Sequence, residues 1–304
     1  MSDSELVQSR QHSAGGPVGV ASAWLQAARP RTLPAVIGPV LLGQVLVEAD
    51  YFAWSTAVLC LVCGLALQIA VNLANDLFDG LSGVDQDDRL GPVRAMHSGR
   101  LSARALAAGL CLVLAVAALT GLWLIIHGHW MLWLLGAAAL LAVLGYSGGA
   151  RPYANFGLGE LVVWIFFGPV AVLGSLLAHG SPITNQAILA GVLVGLPVAA
   201  IMVVNNLRDR FTDARAGKMT LPARLGRKHT LWLFAGLTGL PVLISMPLGS
   251  GAWLWLVWVV VVIAALLLNR RLHQSEGTAL NPLLGMTAGY ALLFAVLLML
   301  FFSI

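Results

Sequence analysis

Residues 53–79 read AWSTAVLCLVCGLALQIAVNLANDLFD, a long apolar run that closes on amides and acids. From Ala53 to Val71 it carries no charge, which with its apolar continuation supplies the ~20 residues that a membrane-spanning helix needs. Asn72, Asn75, Asp76 and Asp79 then follow without a break. On a helix they stand at i, i+3, i+4 and i+7, so they form one stripe on one face. An ionisable group that continues a span is costly unless it faces a cavity or a partner. The stretch therefore reads as a membrane helix that ends in a functional polar stripe.

The rest of the chain extends this pattern. Of 304 residues, 59% are hydrophobic and 10% are charged, against ~25% charged in an ordinary soluble domain. Mean hydropathy is +0.87. These values exclude a soluble enzyme, a disordered chain and a secreted disulfide scaffold. Nine apolar segments can be marked, at 33–49, 53–76, 104–126, 130–147, 157–178, 184–205, 230–247, 252–269 and 283–303. Lipid leaves no partner for open backbone groups, so these segments are expected to be helices. The expected fold is an all-α polytopic membrane protein with nine transmembrane helices. Residues 1–23 read as a polar cytoplasmic tail and residues 24–304 as the membrane domain. All 17 Lys and Arg lie in the tail or in loops after even-numbered spans. The positive-inside rule then places the N-terminus in the cytoplasm and the C-terminus outside. That distribution also turns the net charge of +4 away from nucleic acid as a partner and towards a bilayer. Cys60, Cys63 and Cys111 lie inside apolar runs and read as packing residues.

A second stripe answers the first. Asn205, Asp209 and Asp213 stand at i, i+4 and i+8 at the end of the sixth span, with Asn206 and Arg208 between them. Both stripes close an even-numbered span, share Asn-x3-Asp, and are followed by an Arg-Leu-Gly, as in an internal repeat of two facing half-sites. Converging Asp and Asn oxygens suit a hard ion such as Mg2+, which binds through one or two carboxylates and fills its shell with water and phosphate. Arg89, Arg94, Arg208, Lys218 and Arg224 lie close by in sequence. A site built only for a metal would not need those cations, and a diphosphate explains both signs of charge. At the end of a membrane span, the expected substrate is a lipid-linked diphosphate. Departure of an allylic diphosphate leaves a carbocation, which aromatic faces stabilise. Tyr146 and Tyr153 flank the Gly-rich turn that holds Arg151 and are candidates for that role. Asp85, Asp87 and Asp88 lie further from the apolar run and read equally well as a solvated loop. His97 reads as structural, and Glu160 is expected to cap its helix or to pair with Arg151. A cation-coupled transporter is the alternative of a different class, since paired intramembrane acids at a repeat interface also describe ion sites.

These motifs resemble those of a known family. Asn75-Asp-x2-Asp79-x5-Asp85 and Asp209-x3-Asp213 are similar to the two aspartate-rich motifs of the UbiA-type intramembrane prenyltransferases. Ala28-Arg-Pro-Arg-Thr-Leu-Pro34, Arg89-Leu-Gly-Pro-Val-Arg94, Tyr146-Ser-Gly-Gly-Ala-Arg-Pro-Tyr153 and Gly217-Lys-Met-Thr-Leu-Pro-Ala-Arg-Leu-Gly226 resemble the branch that prenylates 1,4-dihydroxy-2-naphthoate. The resemblance implies helices around a central cavity that opens to lipid. It implies Mg2+-dependent transfer of a chain from polyprenyl diphosphate to an aromatic acid in menaquinone synthesis, with loss of the carboxylate. Carried onto this sequence, it implies Asn75, Asp76, Asp79, Asp209 and Asp213 as Mg2+–diphosphate ligands, with Asn72, Asn205 and Asn206 lining the pocket. Arg89, Arg94, Lys218 and Arg224 would meet phosphate, and Arg29 or Arg31 with Arg151 the acceptor's carboxylate. Within the same superfamily the acceptor could instead be 4-hydroxybenzoate or another phenol. The expected setting is the cytoplasmic membrane, with the site facing the cytoplasm.

Overall fold

The computed structural model describes residues 17–82, 90–91, 94–149, 152–248 and 252–303. Arg89, Arg151, Asp85, Asp87 and Asp88 lie outside the described residues. Among the described residues every regular element is helical. They are α1 (Pro17–Ala28), α2 (Pro34–Val45), α3 (Trp54–Ser82), α4 (Ala103–His127) and α5 (Leu132–Gly145), then α6 (Gly159–His179), α7 (Asn185–Arg215), α8 (Leu221–Ser245), α9 (Ala252–Gln274) and α10 (Asn281–Phe302).

Seven of these helices, α3, α4 and α6 to α10, are long and apolar enough to cross a membrane. The other two expected spans form shorter helices of 12 and 14 residues, roughly 18 and 21 Å at ~1.5 Å per residue. Pro34 starts α2 and Pro39 sits inside it, while Gly148 and Gly149 follow α5, so the sequence limits both. Helix α1 begins inside the stretch expected to be a tail. Its Ala23 and Ala27 are buried and its Trp24 rests on Gly109 of α4, where a side chain would collide with the indole. Helix α8 starts nine residues before the expected span, at Leu221, and bends at Gly226, whose φ of 69° suits glycine.

Helix length positions the acidic stripes. With 29 and 31 residues, α3 and α7 each reach more than about 40 Å, beyond the ~30 Å hydrocarbon layer. The polar turns are thus continuous helix, with side chains fixed relative to the apolar body. Helix α7 is the central strut, packed against α6, α8 and α10, while α2 bridges α3, α6 and α10. Helices α6 and α7 approach closely at a π-helical turn, Phe166–Val170, that contains Pro169. A Cβ on Gly195 would stand 2.6 Å from the Trp164 carbonyl, so only glycine lets the two backbones meet there. One apolar core joins α7 to α8, α9 and α10, and another joins α1, α3 and α4. The acidic ends of α3 and α7 face each other between these two bodies.

Candidate active site

A cavity of about 430 Å3 lies between the polar ends of α3 and α7. Helix α3 supplies Asn72, Asn75 and Asp76 to its wall, and α7 supplies Asn205 and Arg208. Arg94 and Tyr146 come from the segments after α3 and α5, and Asn281 starts α10. Arg29 and Arg31 stand at the join of α1 and α2 and also line it. Asn72 fixes that join: its Nδ2 donates to the Ala28 carbonyl at 2.9 Å and to Thr32 Oγ1 at 3.3 Å. Arg29 there is left-handed (φ 51°), the one described non-glycine with positive φ. Such strain is uncommon and concentrates at functional sites.

Each stripe carries its own counter-charge. Arg94 Nη2 donates to Asp79 Oδ2 at 2.8 Å, and Lys218 Nζ stands 3.6 Å from the same oxygen. Arg94 also donates through Nη1 to the Asn75 carbonyl, and Ser147 Oγ donates to Asn75 Oδ1 at 2.9 Å. On α7, Arg208 grips Asp209 with two bonds, Nε to Oδ1 at 2.8 Å and Nη2 to Oδ2 at 2.6 Å. It donates as well to Asn205 Oδ1 at 3.0 Å and Asn281 Oδ1 at 2.9 Å. Asn281 Nδ2 in turn holds the Leu90 carbonyl at 3.1 Å. A side chain on the neighbouring Gly91 would strike the Arg208 guanidinium. Leu90 and Gly91, beyond the first motif, are thus seated on the second. All five charged groups, Asp79, Arg94, Lys218, Arg208 and Asp209, are buried, and buried charges need such pairing.

Asp76 differs. Its Oδ2 accepts from the Ala95 amide at 3.2 Å, but its Oδ1 is buried with no hydrogen-bond partner. An orphaned carboxylate oxygen on a cavity wall, beside Asn oxygens, fits a hard cation that draws its remaining ligands from phosphate and water. Among the described residues no three His, Cys, Asp or Glu side chains gather as a metal cluster.

The remaining expected residues are spread around this centre. Asp213 is half-buried one turn beyond Asp209, and its carbonyl accepts from the Lys218 amide at 2.8 Å. Arg224 is exposed, with Nε on the Met219 carbonyl at 2.9 Å, and is not part of the cavity wall. Asn206 points away from the cavity and donates to Glu160 Oε1 at 2.8 Å. Arg210, on the far side of α7, bonds Glu276 at 2.6 Å. That bond, then the charge of Arg227, holds the Glu276 carboxyl below the usual range. Tyr146 sits where two cavities meet, since it also lines an apolar one of about 230 Å3. Tyr153 lines the apolar cavity and meets Tyr146 edge-on at 5.5 Å. Lys218 Nζ lies 5.8 Å from the Tyr146 ring. Sequence spacing does not reveal Asn281, Ser147 or the Glu160–Asn206 pair as parts of one network, because each partner is more than 40 residues away.

The sequence pattern of the UbiA prenyltransferase family matches residues 36–284. The chain belongs to the UbiA prenyltransferase family. Two relatives in the family are named 1,4-dihydroxy-2-naphthoate octaprenyltransferase. The one from Mycobacterium tuberculosis is 42% identical over 70% of this chain and 73% of its own length. The one from Escherichia coli is 33% identical over 89% of this chain and 92% of its own. The fold is shared with a UbiA homologue from Archaeoglobus fulgidus, solved bound to GPP and Mg2+. That match has a TM-score of 0.65 at 16% identity and covers 93% of this chain and 100% of that one. The transporter reading finds no support. In this UbiA chain the acids close helix ends among paired bases, whereas transporter ion sites lie near the midplane at broken helices.

Proposed function

We propose that this protein transfers a polyprenyl chain from polyprenyl diphosphate to 1,4-dihydroxy-2-naphthoate, with decarboxylation, to give demethylmenaquinol for menaquinone synthesis. The observation that carries this reading is the pair of cavities that meet at Tyr146. One is walled by amides, Asp76 and four arginines, and the other is apolar. A molecule with a charged diphosphate head and a hydrocarbon tail matches that division, and the naphthoate acceptor follows the named relatives. 4-Hydroxybenzoate has no comparable support among them.

In this account the allylic C–O bond breaks and the diphosphate departs. The ring carbon that bears the carboxylate bonds to the prenyl carbon, and loss of CO2 returns an electron pair to the ring. Asp76 and Asp209, with Asn75, Asp79 and Asp213, would hold Mg2+, which stabilises negative charge on the leaving diphosphate. Arg94, Arg208 and Lys218 neutralise the same charge as donors, with Asn205 as a neutral one, while Asn72 lines the pocket with its amide hydrogens committed to Ala28 and Thr32. Arg29 and Arg31 at the cavity wall suit the acceptor's carboxylate. The faces of Tyr146 and Tyr153 shield the developing carbocation. Burial of these groups excludes water that would capture it.

The apolar cavity would take the start of the prenyl tail. The concentration of Lys and Arg at the ends that bear the site supports a cytoplasmic-membrane enzyme open to the cytoplasm, with nine crossings that count α2 and α5. A binding measurement tests the head-group assignment. Purified protein should bind geranyl diphosphate when Mg2+ is supplied and release it on chelation with EDTA. Binding that ignores EDTA would contradict the assignment.

A further inference from the structure

Glu160 opens α6, is 4% exposed, and touches neither cavity wall. Its Oε1 accepts from Asn206 Nδ2 at 2.8 Å, and its Oε2 is buried without a hydrogen-bond partner. Asn206, 3% exposed, accepts at Oδ1 from Asn205 Nδ2 at 3.4 Å. Asn205 Oδ1 accepts from Arg208 at 3.0 Å, and Arg208 holds Asp209. This chain of bonds has a carboxylate that can only accept at one end and a guanidinium that can only donate at the other. Each amide between them has one orientation that satisfies both neighbours. A flip of Asn206 would set its oxygen against Glu160 and its NH2 against the Asn205 NH2. Asn205 would then turn its own NH2 towards Arg208, donor against donor. The direction of the whole relay is therefore set by its two ends, Glu160 and Arg208.

We infer that Glu160 is a positioning residue for the proposed prenyl transfer, acting through Asn206 and Asn205 to set Arg208 and Asp209 for the diphosphate. The inference rests on that reading of the function and adds to it a residue outside the cavity. Burial of a carboxylate with one oxygen unpartnered is costly in stability, and the orientation of the relay is what that cost supports. A neutral amide at the same place can still offer an oxygen to Asn206, so the role needs an acceptor and not a proton carrier.

Four variants test it: E160Q, E160M, N206D and the double variant E160Q/N206D. In the double variant the new amide donates to the new carboxylate, which still accepts from Asn205, so the relay beyond is preserved. N206D alone sets two carboxylates against each other. The kcat/KM for the prenyl diphosphate should stay within about threefold of the parent in E160Q and in the double variant, and fall at least about tenfold in E160M and N206D, as one lost charged hydrogen bond implies. The loss should appear as a raised KM for the prenyl diphosphate, with the KM for the aromatic acid unchanged. In the absence of acceptor, the thermal shift produced by Mg2+ and geranyl diphosphate should follow the same order. If E160M fails to fold, the damage by N206D and its repair by E160Q still decide the matter. An E160Q as inactive as N206D, or a double variant that repairs nothing, would overturn the inference. A parent protein without prenyl transfer would instead refute the function, and the thermal shifts would still report on the relay.

Discussion

At the level of single residues, the proposed chemistry rests on Asp76 and Asp209. Asp76 Oδ2 is satisfied by a backbone amide, which an asparagine oxygen would satisfy as well, so D76N keeps its fold. It removes the charge beside the orphaned Oδ1. D209N keeps one acceptor for Arg208 and loses the second. Both variants should lose at least about 100-fold in turnover, as removal of one charge-stabilising group does elsewhere, with melting in detergent little changed. Full activity in both would contradict their roles. The positions of these acids are legible in the sequence because a polar stripe on an apolar helix has few explanations. Their partners are not. Arg94 stands 15 positions after Asp79 in the sequence. Arg208 folds back onto its own neighbour Asp209, although adjacent helical residues ordinarily face different ways. Glu160 illustrates the same limit: its place in the sequence suggests a cap or Arg151, which lies outside the described residues, and the structure gives it Asn206 from another helix.

At the scale of elements, the site depends on α3 and α7 running past the lipid as unbroken helices and on α6 lying close to α7. Composition shows where the apolar runs are, but a run shows only where lipid can lie, and helix ends follow capping and packing. Thus α7 starts at the Thr184 cap, whose hydroxyl accepts from Ala187 at 3.1 Å, and continues ten residues past the expected boundary. Helix α1, invisible as a span, is held by the burial of Ala23 and Ala27 and delivers Arg29 to the cavity. The close contact between α6 and α7 yields a prediction. G195L would push the two backbones apart and should destabilise the bundle by about 1–3 kcal/mol or more, as overpacking does. Thermal unfolding in detergent measures this, and an unchanged midpoint would mean that the two helices need not touch.

For the whole molecule, the two cavities follow from how the helices close. The polar one lies between the acidic ends of α3 and α7, and the apolar one runs beside α6 from Val162 to Ala178. That distance is roughly 24 Å of helix. Gly174 lies near its deep end, where an added Cβ would find its nearest atom, Leu135 Cδ1, 4.0 Å away. G174F therefore has room to enter without disturbing the backbone and would fill the deep part. It should raise KM for a long polyprenyl diphosphate by about tenfold or more, the effect of misfit in an apolar pocket, and leave geranyl diphosphate unaffected. An equal effect on both donors would place the tail elsewhere. This division of one interior into polar and apolar halves is not legible in the sequence, because the apolar walls come from six helices whose faces only packing selects.

Product analysis puts the proposed reaction itself to the test. Membranes that contain the protein would be given Mg2+, a polyprenyl diphosphate and either 1,4-dihydroxy-2-naphthoate or 4-hydroxybenzoate, and the lipid extract read by mass spectrometry. The account predicts a prenylated naphthoquinol that has lost the mass of CO2, formed with the naphthoate alone. Prenylated hydroxybenzoate, or no prenylated product with the naphthoate from folded protein, would contradict it.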